Sequence, residues 1–172
     1  MSGRVLEYST GAAIAGTIVA FGQVGNQFVA SAAAVTDASG TYRITVPAAR
    51  SYSVAADGAI VGTIRPAASI RGDVFVRFGT CIARYGSITD ATTGMPIAGA
   101  VVSLAGQTAT TGTDGWYRID FGCPTSAPSG GTTFFYVSHP GYLNQTQVAG
   151  RGIASVQRAD ISMTIRGVVF NP

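Results

Sequence analysis

The chain's one histidine, His139, lies in Ser138-His139-Pro140-Gly141-Tyr142. A serine-type triad needs an imidazole base held by a third group, and Asp120 or Asp160 are the acids that would have to supply it. The matching stretch in the first half of the chain ends in Asp57-Gly58 and reads as a turn, so His139 is expected to be structural. The eight acids, Glu7, Asp37, Asp57, Asp73, Asp90, Asp114, Asp120 and Asp160, build no D-x-[DN]-x-[DN]-G calcium loop, and no His/Cys cluster has zinc spacing. Asp37, Asp90 and Asp114 stand where an Asx side chain bonds its own turn backbone. We therefore expect no catalytic residue, no metal site and no cofactor.

Cys81 and Cys123 are the only thiols. They are candidates for a disulfide pinning the two halves of the chain together. Reduced thiols and an interchain bond remain open, because spacing does not prove connectivity. An intrachain bond would imply an oxidising destination.

These residues must be positioned by strands. Over 172 residues, turn signals recur every few positions, β-branched and aromatic residues dominate between them, and no helical period is sustained. The chain also repeats itself. GRVLEYSTGAAIAGTIV from Gly3 lies without a gap over GSITDATTGMPIAGAVV from Gly86. Further matched pairs are TDASGTYRITV from Thr36 with TGTDGWYRIDF from Thr111, YSVAADG from Tyr52 with FYVSHPG from Phe135, and DVFVRF from Asp73 with DISMTI from Asp160. Within these, Tyr42, Ile44 and Val46, like Tyr117, Ile119 and Phe121, alternate with their neighbours and should face a core.

This pattern resembles the carboxypeptidase regulatory-like, or transthyretin-like, β-sandwich family, over nearly the whole chain as two tandem copies. The second copy is the nearer, with GSITDATTGMPIAGAVVSLAG, Gly115, Tyr117 and Val137-Ser138-His139-Pro140-Gly141-Tyr142. The first lacks the Pro before Ile14 and carries an insertion around Gln23 to Ala34. The resemblance implies an all-β chain of two seven-stranded Greek-key sandwiches, each a non-catalytic accessory, adhesive or scaffolding module. We expect a first sandwich over 1–79, a linker over 80–85, a second sandwich over 86–166 and an apolar tail over 167–172. The transthyretin relatives that hydrolyse a purine-derived ring need particular His and Arg positions and a C-terminal tetrapeptide. One His and the ending Val169-Phe170-Asn171-Pro172 do not fit that enzyme.

Only 11% of residues are charged and all cations are Arg, so the surface must be made largely of small and neutral polar residues. The eleven Arg are scattered singly, without the dense cationic stripe that nucleic-acid binding requires. Mean hydropathy is +0.31, yet no apolar run reaches the 18 residues of a membrane-spanning helix. Apolar surface covered by another chain is the expectation.

Alternation places Phe75, Trp116, Arg118, Phe134 and Tyr136 outward, and the tail adds Val168, Val169 and Phe170; together these are the candidate interface. Such aromatics would anchor a protein partner, stack on a sugar ring, or cover the contact between the two copies. The run TGAAIAGTIVAFG over Thr10–Gly22 passes as an export signal, with Arg4 before it and Ala30-Ser31-Ala32 as a cleavage site. Its twin at Thr93 marks it instead as a turn leading into a core strand. The expectation is accordingly a chain without a Sec-type signal that serves as a structural component of a bacteriophage virion, in capsid decoration, collar or tail. Its partners would be copies of itself or capsid and tail proteins. The alternative is a carbohydrate-binding or adhesive module of a bacterial cell surface, with Trp116 and Tyr136 on the glycan.

Overall fold

The computed structural model describes residues 1–25, 27–48, 50–67, 70–77, 79–124, 132–151 and 155–166. Every regular element among them is a strand. The first half supplies β1 (Ser2–Glu7), β2 (Ile18–Val24), β3 (Phe28–Val35), β4 (Thr41–Arg43), β5 (Tyr52–Ala56), β6 (Ala59–Ile64) and β7 (Val74–Val76). The second supplies β8 (Ala83–Asp90), β9 (Val101–Leu104), β10 (Gln107–Thr110), β11 (Trp116–Asp120), β12 (Thr132–Ser138), β13 (Gln145–Arg151), β14 (Val156–Ala159) and β15 (Ile161–Met163).

Two cores follow from the period-2 pattern. Val5, Val19, Phe21, Tyr42, Val54 and Ile64 are buried together in the first half, and Ile88, Val102, Leu104, Tyr117, Phe135 and Val137 in the second. The repeat extends to its polar clamps. Thr36 Oγ1 accepts from Thr17 N at 2.9 Å and donates to Ile14 O at 2.8 Å. Thr111 Oγ1 accepts from Ala100 N at 2.9 Å and donates to Ile97 O at 2.7 Å. In each half this hydroxyl satisfies backbone groups that the Ile-Ala-Gly corner would otherwise leave unpaired.

The sheets do not divide as cleanly as the cores. A three-stranded sheet runs β4-β1-β7 and a four-stranded one β10-β9-β12-β13. The third runs β11-β8-β14-β6-β5-β2-β3, with β15 also paired to β8, and so passes from one half of the chain into the other. The join is β14, which pairs in parallel with β8 (Val156↔Ala83, Arg158↔Tyr85) and with β6 (Arg158↔Gly62, Ala159↔Thr63). Gly62 permits it: its φ is +139°, and a Cβ there would lie 2.1 Å from the carbonyl oxygen of Arg158. Ala83, Arg84 and Tyr85, expected in a linker, are instead the first residues of β8, paired to Asp120, Ile119 and Arg118 of β11.

A third buried cluster, Leu6, Tyr8, Phe75, Ala83, Tyr85 and Val156, fills the seam between the halves. Above it lies a buried polar network. Arg158 donates from Nε and Nη2 to Asp160, from Nη1 to Asp73 O at 2.6 Å and from Nη2 to Arg71 O at 2.6 Å. Asp160 also accepts from the backbone N–H groups of Arg65 and Ser87, both at 3.0 Å. Burial opposes the charge on Arg158, but Asp160 beside it reverses that effect, and its proton affinity ends above the ordinary value.

Candidate interaction surface

The expected interface residues separate into two groups. Phe75 is not on the surface: it is 6% exposed in the seam. It points away from its own core, as alternation requires, but the second half covers it. Tyr8 and Tyr85 meet it edge-on, at 5.7 and 4.9 Å between ring centroids. Trp116 is half-buried against the same cluster, with the guanidinium groups of Arg71 and Arg158 at 4.8 and 5.3 Å from its ring. Arg118 spans the rings of Tyr8 and Phe75 at 4.5 and 5.2 Å and pairs with Asp120 at 2.8 Å. Tyr8 also bonds Asp120 through its hydroxyl, and burial followed by that bond raises its proton affinity. These three outward residues therefore serve the contact between the halves.

Phe134 and Tyr136 remain on the surface, 39% and 56% exposed, on the outer face of the β10-β9-β12-β13 sheet. Strand β12 reads exposed, half-buried, exposed, buried, exposed, buried, exposed, because Phe135 and Val137 take the core side. Phe134 stands opposite Val148, and Tyr136 lies between Ser103 and Thr146 in register. Val101, opposite Ser138, continues the face. Beside Tyr136 is a shallow groove of 210 Å³ lined by Ser103, Ser138, Asn144, Gln145 and Thr146. The face thus offers apolar anchors with neutral hydrogen-bonding groups around them and no charge in the groove. Val148 gave no signal in the sequence, because its place opposite Phe134 depends on a register shift at Thr133/Phe134. Val168, Val169 and Phe170 lie outside the described residues.

Cys81 and Cys123 are joined in a disulfide. It prolongs the β8–β11 ladder, whose last backbone bonds run from Ile82 N to Gly122 O at 2.8 Å and from Phe121 N to Ile82 O at 2.9 Å. The bond therefore closes the second half at its junction end rather than crossing from one half to the other. His139 Nδ1 accepts from Gly141 N at 3.2 Å, and its ring packs on Tyr142 at 5.2 Å. Asp90 accepts from Thr92 N, Thr93 N and the Tyr142 hydroxyl, while Asp37 accepts from Ser39 and Thr41 and Asp114 from Trp116 N. Among the described residues no three His, Cys, Asp or Glu side chains cluster closely enough to hold a metal ion.

No family model and no curated protein matches the chain. Among solved structures it is similar to the shaft pilin SpaA from Lactobacillus rhamnosus GG, at 10% identity and a TM-score of 0.38 over 98% of each chain. A type II cohesin–X-dockerin complex from Acetivibrio cellulolyticus aligns at 21% identity and a TM-score of 0.36, over 49% of this chain and 58% of that one. Chlorocatechol 1,2-dioxygenase from Pseudomonas putida aligns at 14% identity and a TM-score of 0.34, over 52% and 61%. The chain thus spans just over half the length of the cohesin–X-dockerin chain it matches. These TM-scores are all below 0.5, and the function is argued from this molecule's own surface.

Proposed function

We propose that the chain is a non-catalytic structural module that binds neighbouring protein subunits through the outer face of its β10-β9-β12-β13 sheet, in an assembly at a bacterial cell surface. The observation that carries this is the pairing of Phe134 with Val148 beside Tyr136 on a sheet face where all three side chains are exposed among the described residues. Aromatic anchors amid neutral polar groups are what a protein interface core requires, and a groove lined by uncharged residues has little desolvation cost. The disulfide favours a location outside the reducing cytosol. The sequence repeat supports reading the two halves as copies of one carboxypeptidase regulatory-like sandwich, bounded near residue 80, with the shared sheet making them one stiff spacer.

A virion accessory is the second reading, favoured by the same disulfide, since virions also persist in oxidising surroundings. The groove beside Tyr136 would also accept a sugar ring. Sedimentation of the full chain, with and without the Phe134→Ser/Tyr136→Ser pair of changes, tests the main reading. Loss of a defined oligomer, or of binding to cell-surface fractions, is expected in the double variant. A monomer that binds glycans through Tyr136, or one that binds only purified phage shells, would replace it.

A further inference from the structure

Arg84 is the buried cation that the seam network does not use. Strand alternation turns it to the same side as Ile82 and Ile88, into the second half, where it keeps 2% of its surface. Its Nη1 donates to Ala83 O at 2.9 Å and Ser155 O at 2.6 Å. Among the described residues Nε and Nη2 have no partner. The ion pairs among those residues employ Arg4, Arg71, Arg118 and Arg158, and none reaches Arg84. Burial lowers its proton affinity, which the Tyr117 phenol offsets only in part, whereas at Arg158 the carboxylate of Asp160 reverses the effect. A buried cation without a counter-charge is an unstable arrangement unless something supplies one.

The same guanidinium lines a cavity of 150 Å³ with Phe135, Ala149, Gln157, Gln147 and Thr63. Phe135 is fully buried at its floor, whereas Gln147 and Thr63 are exposed at its mouth. We propose that this cavity is a carboxylate-binding site. The Nε–Nη2 edge presents two parallel N–H groups, the fork that a carboxylate meets with both oxygens. The amides of Gln147 and Gln157 and the Thr63 hydroxyl can donate to the remaining lone pairs without bringing a competing negative charge. The ligand is a small free acid or the C-terminal carboxylate of a partner chain, which share this chemistry. The site does not depend on the aromatic face, so either proposal can fail alone.

The test is thermal unfolding of the intact, disulfide-bonded chain with sodium acetate titrated against sodium chloride at equal ionic strength. Acetate is expected to raise Tm saturably by about 2–4 °C beyond chloride. Arg84→Gln should abolish the shift. Because that change also removes the bonds to Ala83 and Ser155, Gln147→Glu is the second variant: its carboxylate at the mouth competes for the same edge and should weaken the acetate response at least about tenfold. A short peptide with a free C-terminus that acts at lower concentration than acetate, where its amidated form is silent, assigns the ligand to a partner's terminus. Acetate acting without such a peptide effect assigns it to a free acid. Equal shifts with chloride, no saturable shift at all, or a full acetate response in both variants overturns the site.

Discussion

Arg158 in β14 and Asp160 just past its end form an ion pair with side-chain exposures of 0% and 1%, Nε to Oδ1 being 3.1 Å. Both groups are satisfied from both halves of the chain: Arg158 reaches the carbonyls of Arg71 and Asp73, and Asp160 the N–H groups of Arg65 and Ser87. Removing one partner leaves a buried, unpaired charge. Asp160→Ala or Arg158→Met should each cost about 3–5 kcal/mol in urea unfolding. The double change Arg158→Met/Asp160→Leu should recover part of that loss, and a double variant no better than either single one would contradict this account.

The Cys81–Cys123 bond closes a loop of sequence separation 42. Constraining the unfolded chain by that length is worth about 4 kcal/mol. Cys81→Ser/Cys123→Ser, or reductant on the native chain, should lower the urea midpoint accordingly, with far-ultraviolet circular dichroism unchanged at low denaturant.

Gly62 should tolerate no side chain. Gly62→Ala drives a methyl against Arg158 O and should cost about 1–3 kcal/mol, parting β6 from β14. Gly25, whose added Cβ would meet nothing within 4 Å, is the control, and Gly25→Ala should stay within about 0.5 kcal/mol.

Stability should fall in acid through Asp90. The N–H groups of Thr93 and then Thr92 hold its carboxyl below the usual range against the opposing effect of burial, and Asp37 is lowered likewise by Ser39 and Thr41. A depressed folded value contributes stability that is complete above the unfolded pKa of about 3.9 and disappears as pH drops through the folded one. Urea midpoints taken downward from about pH 6 should decline only in that acid window, and less steeply in Asp90→Asn.

Phe134→Ser and Tyr136→Ser should leave Tm within about 2 °C of the parent at dilutions where the parent is monomeric, since both side chains are exposed and pack on no core. Phe75→Ser, buried in the seam, should lower it markedly, by the cost of emptying an aromatic site of about 3–5 kcal/mol. Equal tolerance at Phe75 and Phe134 would show that the seam is not a packed contact.

Much of this was legible in the chain itself. Alternation identifies Tyr42, Ile44, Tyr117, Ile119, Phe135 and Val137 as core, because a strand has only two sides and one must leave water. It also marks Phe75, Trp116, Phe134 and Tyr136 correctly as facing away from their own cores. It cannot distinguish a side that meets solvent from one that meets the other half. Phe75 and Phe134 have the same local pattern and opposite surroundings.

The amino-acid order by itself determined an all-β chain with two internal copies, their turns and their two cores, since these depend on contacts between residues near in sequence or repeated at fixed spacing. Tertiary structure alone decided that β14 joins the halves into one sheet, that Cys81 meets Cys123, and that Arg84 is buried without an acid. Each of these rests on groups brought together from distant parts of the chain, where packing of the seam, rather than any local preference, selects the neighbours.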